Sequence, residues 1–346
     1  MAVKLKDVAR KAGVSPTTVS LVFNQGSQSR ISQATRERIL EAAQELGYQP
    51  GKTAQRMAKN ITQPLPQQIP PTIALVITDI TNPFFTELAA VIEDVASRYG
   101  YNIILCNTKK KSDKELEYLE VLWRRRVDGL IIAPAEDNSE SVLEFLKRDI
   151  PVVFVDRYLE NVRAHAVLLD NVKGTYMAVE YLIQLGHRRI GIINGRREVT
   201  TGKERLLGYT KALADHQIEL DERLLREGYF TIEGGQQAMA ELLDLPDPPS
   251  AIFSSASLMT MGALQEIQNR GMKLPQDLSL ASFDDYMWTR LVDPPLTVVA
   301  QPVFEIGKEA AQLIIQLIQG WGQEGPKKIL LQPELIVRAS CRAYSA

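Results

Sequence analysis

From residue 72 onward the chain alternates short β-branched apolar runs with longer stretches whose apolar positions recur every three or four residues. The short runs, at 73–78, 102–106, 129–133, 152–156, 166–170, 189–193, 251–253 and 279–283, predict strands. Between many of them lie stretches at 84–99, 114–126, 139–147, 175–185, 203–216, 235–243, 259–270 and 304–319, which predict amphipathic helices. Strands alternating with helices of this length imply βαβ units and parallel sheets. About ten strands exceed one comfortable sheet, so two sheets with a crevice between them are expected. Ligands of such folds bind outside the carboxyl ends of the strands.

The first 60 residues follow another pattern. Leu5, Val8, Ala9 and Ala12 share one face of a short helix, and Gly13 stops it. Ser15 is suited to cap a second helix and Pro16 to open it. Val19, Val22 and Phe23 give that helix a packing face, and Thr17, Thr18, Ser20 and Leu21 point outward. A third helix runs from a Ser32 cap to Gly47, with Ile39, Leu40, Ala43 and Leu46 as its core stripe. Two short helices across a glycine turn, the second with a polar outer edge, form a helix-turn-helix. Residues 61–71 hold four of the 18 prolines and predict an extended, semi-rigid linker.

Charge sharpens this division. The whole chain carries a formal −2, which taken alone argues against a nucleic-acid partner. Residues 1–60, however, hold ten Lys/Arg against four Asp/Glu, and the remaining 286 hold 30 against 38. A basic head on an acidic body points to nucleic acid for the head. Hydrophobic residues at 45% and charged residues at 24% fit a soluble globular protein.

Other classes lose ground. Cys106 and Cys341 offer neither a disulfide framework nor metal-ligand spacing and are expected to be reduced thiols. His165, His187 and His216 are scattered, so no metal and no cofactor are expected. Neither a membrane-length apolar run nor an apolar signal core is present, so a cytoplasmic location is expected. Nucleophile-elbow, phosphate-loop and dinucleotide motifs are missing, so an enzyme is not expected.

The motifs Lys6-Asp7-Val8-Ala9, Ala12-Gly13-Val14-Ser15, Thr18-Val19-Ser20, Thr35-Arg36-Glu37-Arg38-Ile39 and Leu46-Gly47-Tyr48-Gln49-Pro50 resemble the lactose-repressor (LacI/GalR) family. The resemblance continues through Asp79-Ile80-Thr81-Asn82-Pro83-Phe84-Phe85, Val155-Asp156-Arg157, Leu185-Gly186-His187-Arg188-Arg189-Ile190, Arg205-Leu206-Leu207-Gly208-Tyr209 and Ser282-Phe283-Asp284-Asp285. It implies a three-helix helix-turn-helix head (1–50), a hinge helix (51–60), the linker (61–71) and a core like periplasmic binding proteins (72–346). The core divides into a first lobe at about 72–160 and 302–328 and a second at about 161–301 and 329–346.

The implied function is a transcriptional regulator, a repressor in most such proteins. It binds a pseudo-palindromic operator in double-stranded DNA as a homodimer and answers to a small-molecule effector in the core. Mapped by motif, Pro16, Thr17 and Leu21 face bases, and Ser15, Thr18, Ser20 and Asn24 lie near phosphates. Thr17 and Leu21 offer methyl contacts to thymine, but Leu21 replaces an arginine common in relatives, so base preference shifts. Lys4 stands where relatives often place a capping Thr and can reach a phosphate. In the hinge, Met57 takes the position of the wedge that enters the minor groove, and Ala54 lets paired hinges approach. The linker makes the path from Met57 to the core about eight residues longer than in the lactose repressor. No heptad tail precedes Ala346, so a dimer rather than a tetramer is expected.

In the core, Arg205 fills the slot of the family's ligand-clamping arginine, whose forked donors suit adjacent hydroxyls or an anion. Asp284, at a strand's carboxyl end, can accept two hydroxyls. Phe84 and Phe85 can stack on a ring, with helix packing as the competing role. Asp156, Arg157, Thr201, Phe230 and Gln301 occupy further crevice slots, while Asp170 and Asn171 suit a helix cap. Where relatives carry Asn-Asp, this chain has Ala256-Ser257. That loss points to a ligand that is smaller, less polar or anionic, or to a protein effector. A solute-binding protein is the other alternative, opposed by the basic head.

Overall fold

The computed structural model describes residues 5–16, 18, 19, 22, 31–46, 70–135, 139–321 and 325–344. The chain forms two compact units divided between Ile69 and Pro70.

In the first unit, helix Leu5–Ala12 buries Val8, Ala9 and Ala12 against helix Gln33–Glu45, which buries Ile39, Ala42 and Ala43. Val19 is fully buried between them. Gly13 takes a left-handed φ of 67°, which ends the first helix at little steric cost. The Ser15 hydroxyl accepts from the Thr18 N–H at 3.1 Å, and Pro16 is already helical, the capping arrangement the sequence predicts. Leu40 departs from its expected place: it is 47% exposed, and Ala42 packs instead. At 100° per residue, Ala42 shares the Ile39–Ala43–Leu46 face and Leu40 falls to its side.

The second unit contains two six-stranded sheets. The first holds β1 (Thr72–Ile77), β2 (Asn102–Asn107), β3 (Gly129–Ile132), β4 (Val152–Val155), β5 (His165–Leu169) and β11 (Lys328–Leu331), in the order β11-β5-β4-β3-β1-β2. The second holds β6 (Ile190–Asn194), β7 (Leu225–Glu227), β8 (Ala251–Ser254), β9 (Ser279–Phe283), β10 (Thr297–Ala300) and β12 (Glu334–Ile336), in the order β12-β10-β9-β8-β6-β7. All pairings are parallel except β10–β12, an antiparallel edge on the second sheet.

The lobe boundaries differ from those expected. Strands β5 and β11 pair with each other in the first sheet, so the chain crosses between lobes after Leu169, after Ala300 and after Leu331. The expected crossings at 160 and 328 fall early because both strands are edge-proximal runs that look alike in either sheet. Helix Val303–Ile318 returns to the first lobe, where Ile306, Ala310, Ile314 and Ile315 pack with Leu88 and Ile92 of helix Pro83–Arg98. Large side chains buried this way contribute about 1.5–3 kcal/mol each.

His187 ties the second lobe together. Its Nδ1 meets Ser250 Oγ at 2.8 Å, and its Nε2 meets Ser279 Oγ at 3.1 Å and the Arg342 carbonyl at 3.2 Å. Burial pushes its pKa below the ordinary 6.5. The folded protein therefore favours neutral His187, and this stability is complete above pH 6.5 and lost as pH falls below it. Melting temperatures of the parent and His187→Gln should therefore converge as pH drops from 7 to 5. A constant difference across that range would show that His187 does not titrate on unfolding.

Candidate functional site

The loops after the strands meet in a cleft between the two lobes. Thr78 follows β1, Lys110 follows β2, and Asp156 and Arg157 follow β4. From the second lobe come Thr201 after β6, Phe230 after β7, Ala256 after β8, Asp284 after β9 and Gln301 after β10. Phe84 and Phe85, on the first turn of helix Pro83–Arg98, complete the wall. Asn82 caps that helix, its Oδ1 accepting from the Phe84 N–H at 3.1 Å. The two rings lie edge to face, with centroids 5.1 Å apart. About 30 Å³ of free space remains inside, room for a water or two.

Nine of the ten expected effector-site residues line this cleft: Phe84, Phe85, Asp156, Arg157, Thr201, Arg205, Phe230, Asp284 and Gln301. Ser257 does not line it. Its neighbour Ala256 does, and Ser257 stands behind, its N–H donating to Asp284 Oδ2 at 3.3 Å. Phe84 and Phe85 also belong to the first lobe's core, so packing and cleft roles coincide in them.

Arg205 is held from three sides. Its Nε donates to Asn171 Oδ1 at 2.9 Å, its Nη1 donates to the Ser255 carbonyl at 2.6 Å, and its guanidinium lies 3.8 Å from the Phe283 ring centre. Asn171 thus orients the arginine, while Asp170 caps the helix by accepting from the Lys173 N–H. Nη2 has no hydrogen-bond partner among the described residues, so two donors remain for a ligand. Burial lowers the arginine's pKa, opposed by Asp284 and Asp156. Burial likewise raises the Asp156 carboxyl, opposed by Arg157 and Arg205.

Asp156 and Asp284 both adopt left-handed φ, 66° and 74°, at the ends of their strands. Aspartate tolerates this region better than most residues. Gln301 donates to Asp284 Oδ1 at 2.6 Å, and Arg157 Nε donates to Asp156 Oδ2 at 3.1 Å. Thr78 and Thr201 present buried hydroxyls without hydrogen-bond partners among the described residues.

The sequence reading missed Thr78, Asp79, Asn82 and Lys110, which also line the cleft, as does Ala256 from the Asn-Asp slot. It missed Gly195 as well. A Cβ there would stand 1.9 Å from the Phe230 ring, so the glycine makes room for that side chain.

On the DNA side, Ser15 and Pro16 are exposed and Thr18 is half-buried at the start of the second helix of the head. Lys4, Thr17, Ser20, Leu21, Asn24, Ala54 and Met57 lie outside the described residues.

A helix-turn-helix head with a two-lobed parallel-sheet core has clear counterparts. Residues 70–339 match the model for periplasmic binding proteins and the sugar-binding domain of the LacI family, and residues 4–51 match that for bacterial regulatory proteins of the lacI family. The chain belongs to the LacI family. Its relatives include the HTH-type transcriptional repressor CytR of Escherichia coli, 35% identical over 99% of this chain and 97% of that protein. Among solved structures, the Lac repressor dimer bound to operator and the anti-inducer ONPF is 28% identical, with a TM-score of 0.71 over 99% of this chain and 100% of that one. A LacI family transcriptional regulator from Enterococcus faecium with bound ribose is 31% identical, with a TM-score of 0.73 over 79% of this chain and all of that one. This LacI family member is a DNA-binding transcriptional regulator whose head is the LacI helix-turn-helix domain.

Proposed function

We propose that the protein represses transcription as a cytoplasmic homodimer on a pseudo-palindromic operator, released or engaged by a neutral, polyhydroxylated small molecule in the cleft. The observation that carries this reading is the charge balance of the site. Three carboxylates, on Asp79, Asp156 and Asp284, stand with three cations, Lys110, Arg157 and Arg205. Lys110 pairs with Asp79 at 3.0 Å and Arg157 with Asp156 at 3.1 Å, while Arg205 neighbours both Asp156 and Asp284. A bound phosphate or carboxylate would break this balance, and burying an uncompensated charge is costly. Hydroxyls fit it, because each can accept from Arg205 and donate to Asp284.

The aromatic rings of Phe84, Phe85 and Phe230 suit the apolar face of a sugar ring. The relative with bound ribose supports the same class. Depth favours a small molecule over a protein effector, since Arg205, Asp284 and Thr201 are each at most 5% exposed. The anionic alternative from the Ala256-Ser257 departure loses its ground in the same balance. A binding role is supported by the relatives, which are transcriptional repressors. No helix among the described residues is long and apolar enough to cross a bilayer.

Selection of genomic fragments on the purified protein, repeated with panels of neutral and phosphorylated sugars, tests both halves. A palindrome should be enriched, and one or more neutral sugars should change its recovery. Binding should also weaken steeply with salt, since counterions are released from each phosphate contacted. Absence of any palindrome, or a response confined to phosphorylated sugars, overturns the reading.

A further inference from the structure

The two loops at one end of the cleft are built alike. Lys109 and Lys110 follow β2 with φ of 54° and 61°, and Tyr229 and Phe230 follow β7 with φ of 53° and 58°. Left-handed backbone is uncommon for such residues and persists where the surroundings enforce it. Here the enforcement is visible. The Lys110 N–H donates to the Thr78 carbonyl at 2.9 Å, and the Phe230 ring fills the space left by Gly195.

The Lys110 ammonium donates to the Phe230 carbonyl oxygen at 2.9 Å, a bond from the first lobe to the second. It also meets Asp79 Oδ2 at 3.0 Å, within its own lobe. Asp79 is itself fixed, its Oδ1 accepting from the Thr81 N–H at 3.0 Å and the Thr81 hydroxyl at 2.6 Å. Lys110 is therefore oriented by its own lobe before it reaches across. Topology gives the contact leverage. The three crossings leave from β5, β10 and β11, at one side of the sheets, and β2 and β7 are the edge strands at the other. A bond between the β2 and β7 loops acts at the longest arm from the hinge.

We propose that Lys110 is a latch that holds the core closed before any effector arrives, and so sets how much binding energy an effector must supply to change its state. The Asp79 carboxylate aims the ammonium and the Phe230 carbonyl is the catch. The catch is a backbone group, and the Phe230 ring seated against Gly195 sets where it stands. The inference concerns the cleft assigned above to an effector, but its test uses no effector, so the two stand or fall separately.

The test measures the distance between lobes in the full, effector-free chain. Spin labels on Asp113→Cys and Glu233→Cys, both exposed positions, report it once Cys106 and Cys341 are replaced by alanine. The parent should give one short, narrow distance distribution. Lys110→Met should shift population to a longer, broader one, lowering the closed-to-open ratio about tenfold or more, the share expected of a charged hydrogen bond. Asp79→Asn should shift it in the same direction by less, and Lys110→Arg should keep the short distance. A circular dichroism melt confirms that each variant is folded. An effector-free parent that is already open, or a folded Lys110→Met with an unchanged distribution, overturns the proposal.

Discussion

Replacing Arg205 with alanine should abolish the effector response while leaving effector-free operator binding intact. Two losses combine. The cleft loses the guanidinium nitrogen Nη2, whose donors have no partner among the described residues and are open to a ligand. Two charge-assisted hydrogen bonds are worth about 3 kcal/mol or more, which is on the order of a hundredfold in Kd. The second loss is structural. Asn171 Oδ1 and the Ser255 carbonyl lose their donor, Phe283 loses the cation on its face, and Asp156 and Asp284 lose a neutralising neighbour. Removing one member of a buried charged cluster costs about 3–5 kcal/mol.

The variant should therefore melt at a lower temperature, and operator binding should be measured well below that point. Titration calorimetry with the sugar found active on the parent should show no heat, and an operator mobility shift should show an unchanged Kd. Arg205→Lys should recover part of the stability but little of the affinity, because an ammonium cannot serve Asn171, Ser255 and a ligand together. Loss of operator binding in a folded variant would make Arg205 a strut of the DNA-binding state instead.

Why Arg205 could be found from sequence, and Lys110 could not, has a physical basis. Strands β1 (after Thr72), β3 and β4 are continuous apolar runs, because both sheet faces are covered, and that pattern shows them. By contrast β7, Leu225-Arg226-Glu227, is a three-residue polar edge, and β11 is an edge strand with two exposed positions. The first has no apolar pattern to read, and the second, Lys328-Ile329-Leu330-Leu331, is an apolar run too short to show which sheet it joins. Helix starts failed in the same way. The expected 175–185, 203–216, 235–243 and 259–270 begin in the structure at Asn171, Thr200, Ile232 and Ser257. These first turns are polar or glycine-rich, so they lack the apolar repeat that marks the rest of each helix. In helix Thr200–Asp215 the first turn also gives the cleft Thr201, a site residue that adds nothing to the apolar pattern. Motif resemblance supplied Arg205 and Asp284, whereas Lys110 sits in the run Lys109-Lys110-Lys111, which reads as a solvated charge patch. Only the left-handed turn and the carbonyl opposite distinguish it.

A second large effect should come from Gly262→Ala, through packing rather than charge. Helices Ile232–Leu243 and Ser257–Asn269 cross with their backbones in contact. A Cβ on Gly262 would stand 1.9 Å from the Ile232 carbonyl oxygen and 2.6 Å from the Gln236 nitrogen. The facing glycine is equally tight, since a Cβ on Gly235 would stand 2.2 Å from the Met259 carbonyl oxygen. Backbone cannot rotate away as a side-chain tip can, so the helices must separate. Overpacking of this kind costs about 3 kcal/mol or more, and for a domain of this size each kcal/mol lowers the melting temperature by about 2–4 °C. A fall on the order of 10 °C is expected.

The displacement also reaches the cleft. Helix Ile232–Leu243 begins two residues after Phe230, and Thr231 caps it through the Gly234 N–H at 3.0 Å. Moving that helix moves the Phe230 ring and the carbonyl that Lys110 catches. Effector affinity should therefore fall together with stability, which distinguishes this substitution from one that merely loosens the core. Differential scanning calorimetry and effector titration on the same preparation decide it. A melting temperature within 2 °C of the parent would mean that the helices slide apart at little cost, and the close crossing would then not be a constraint on the fold.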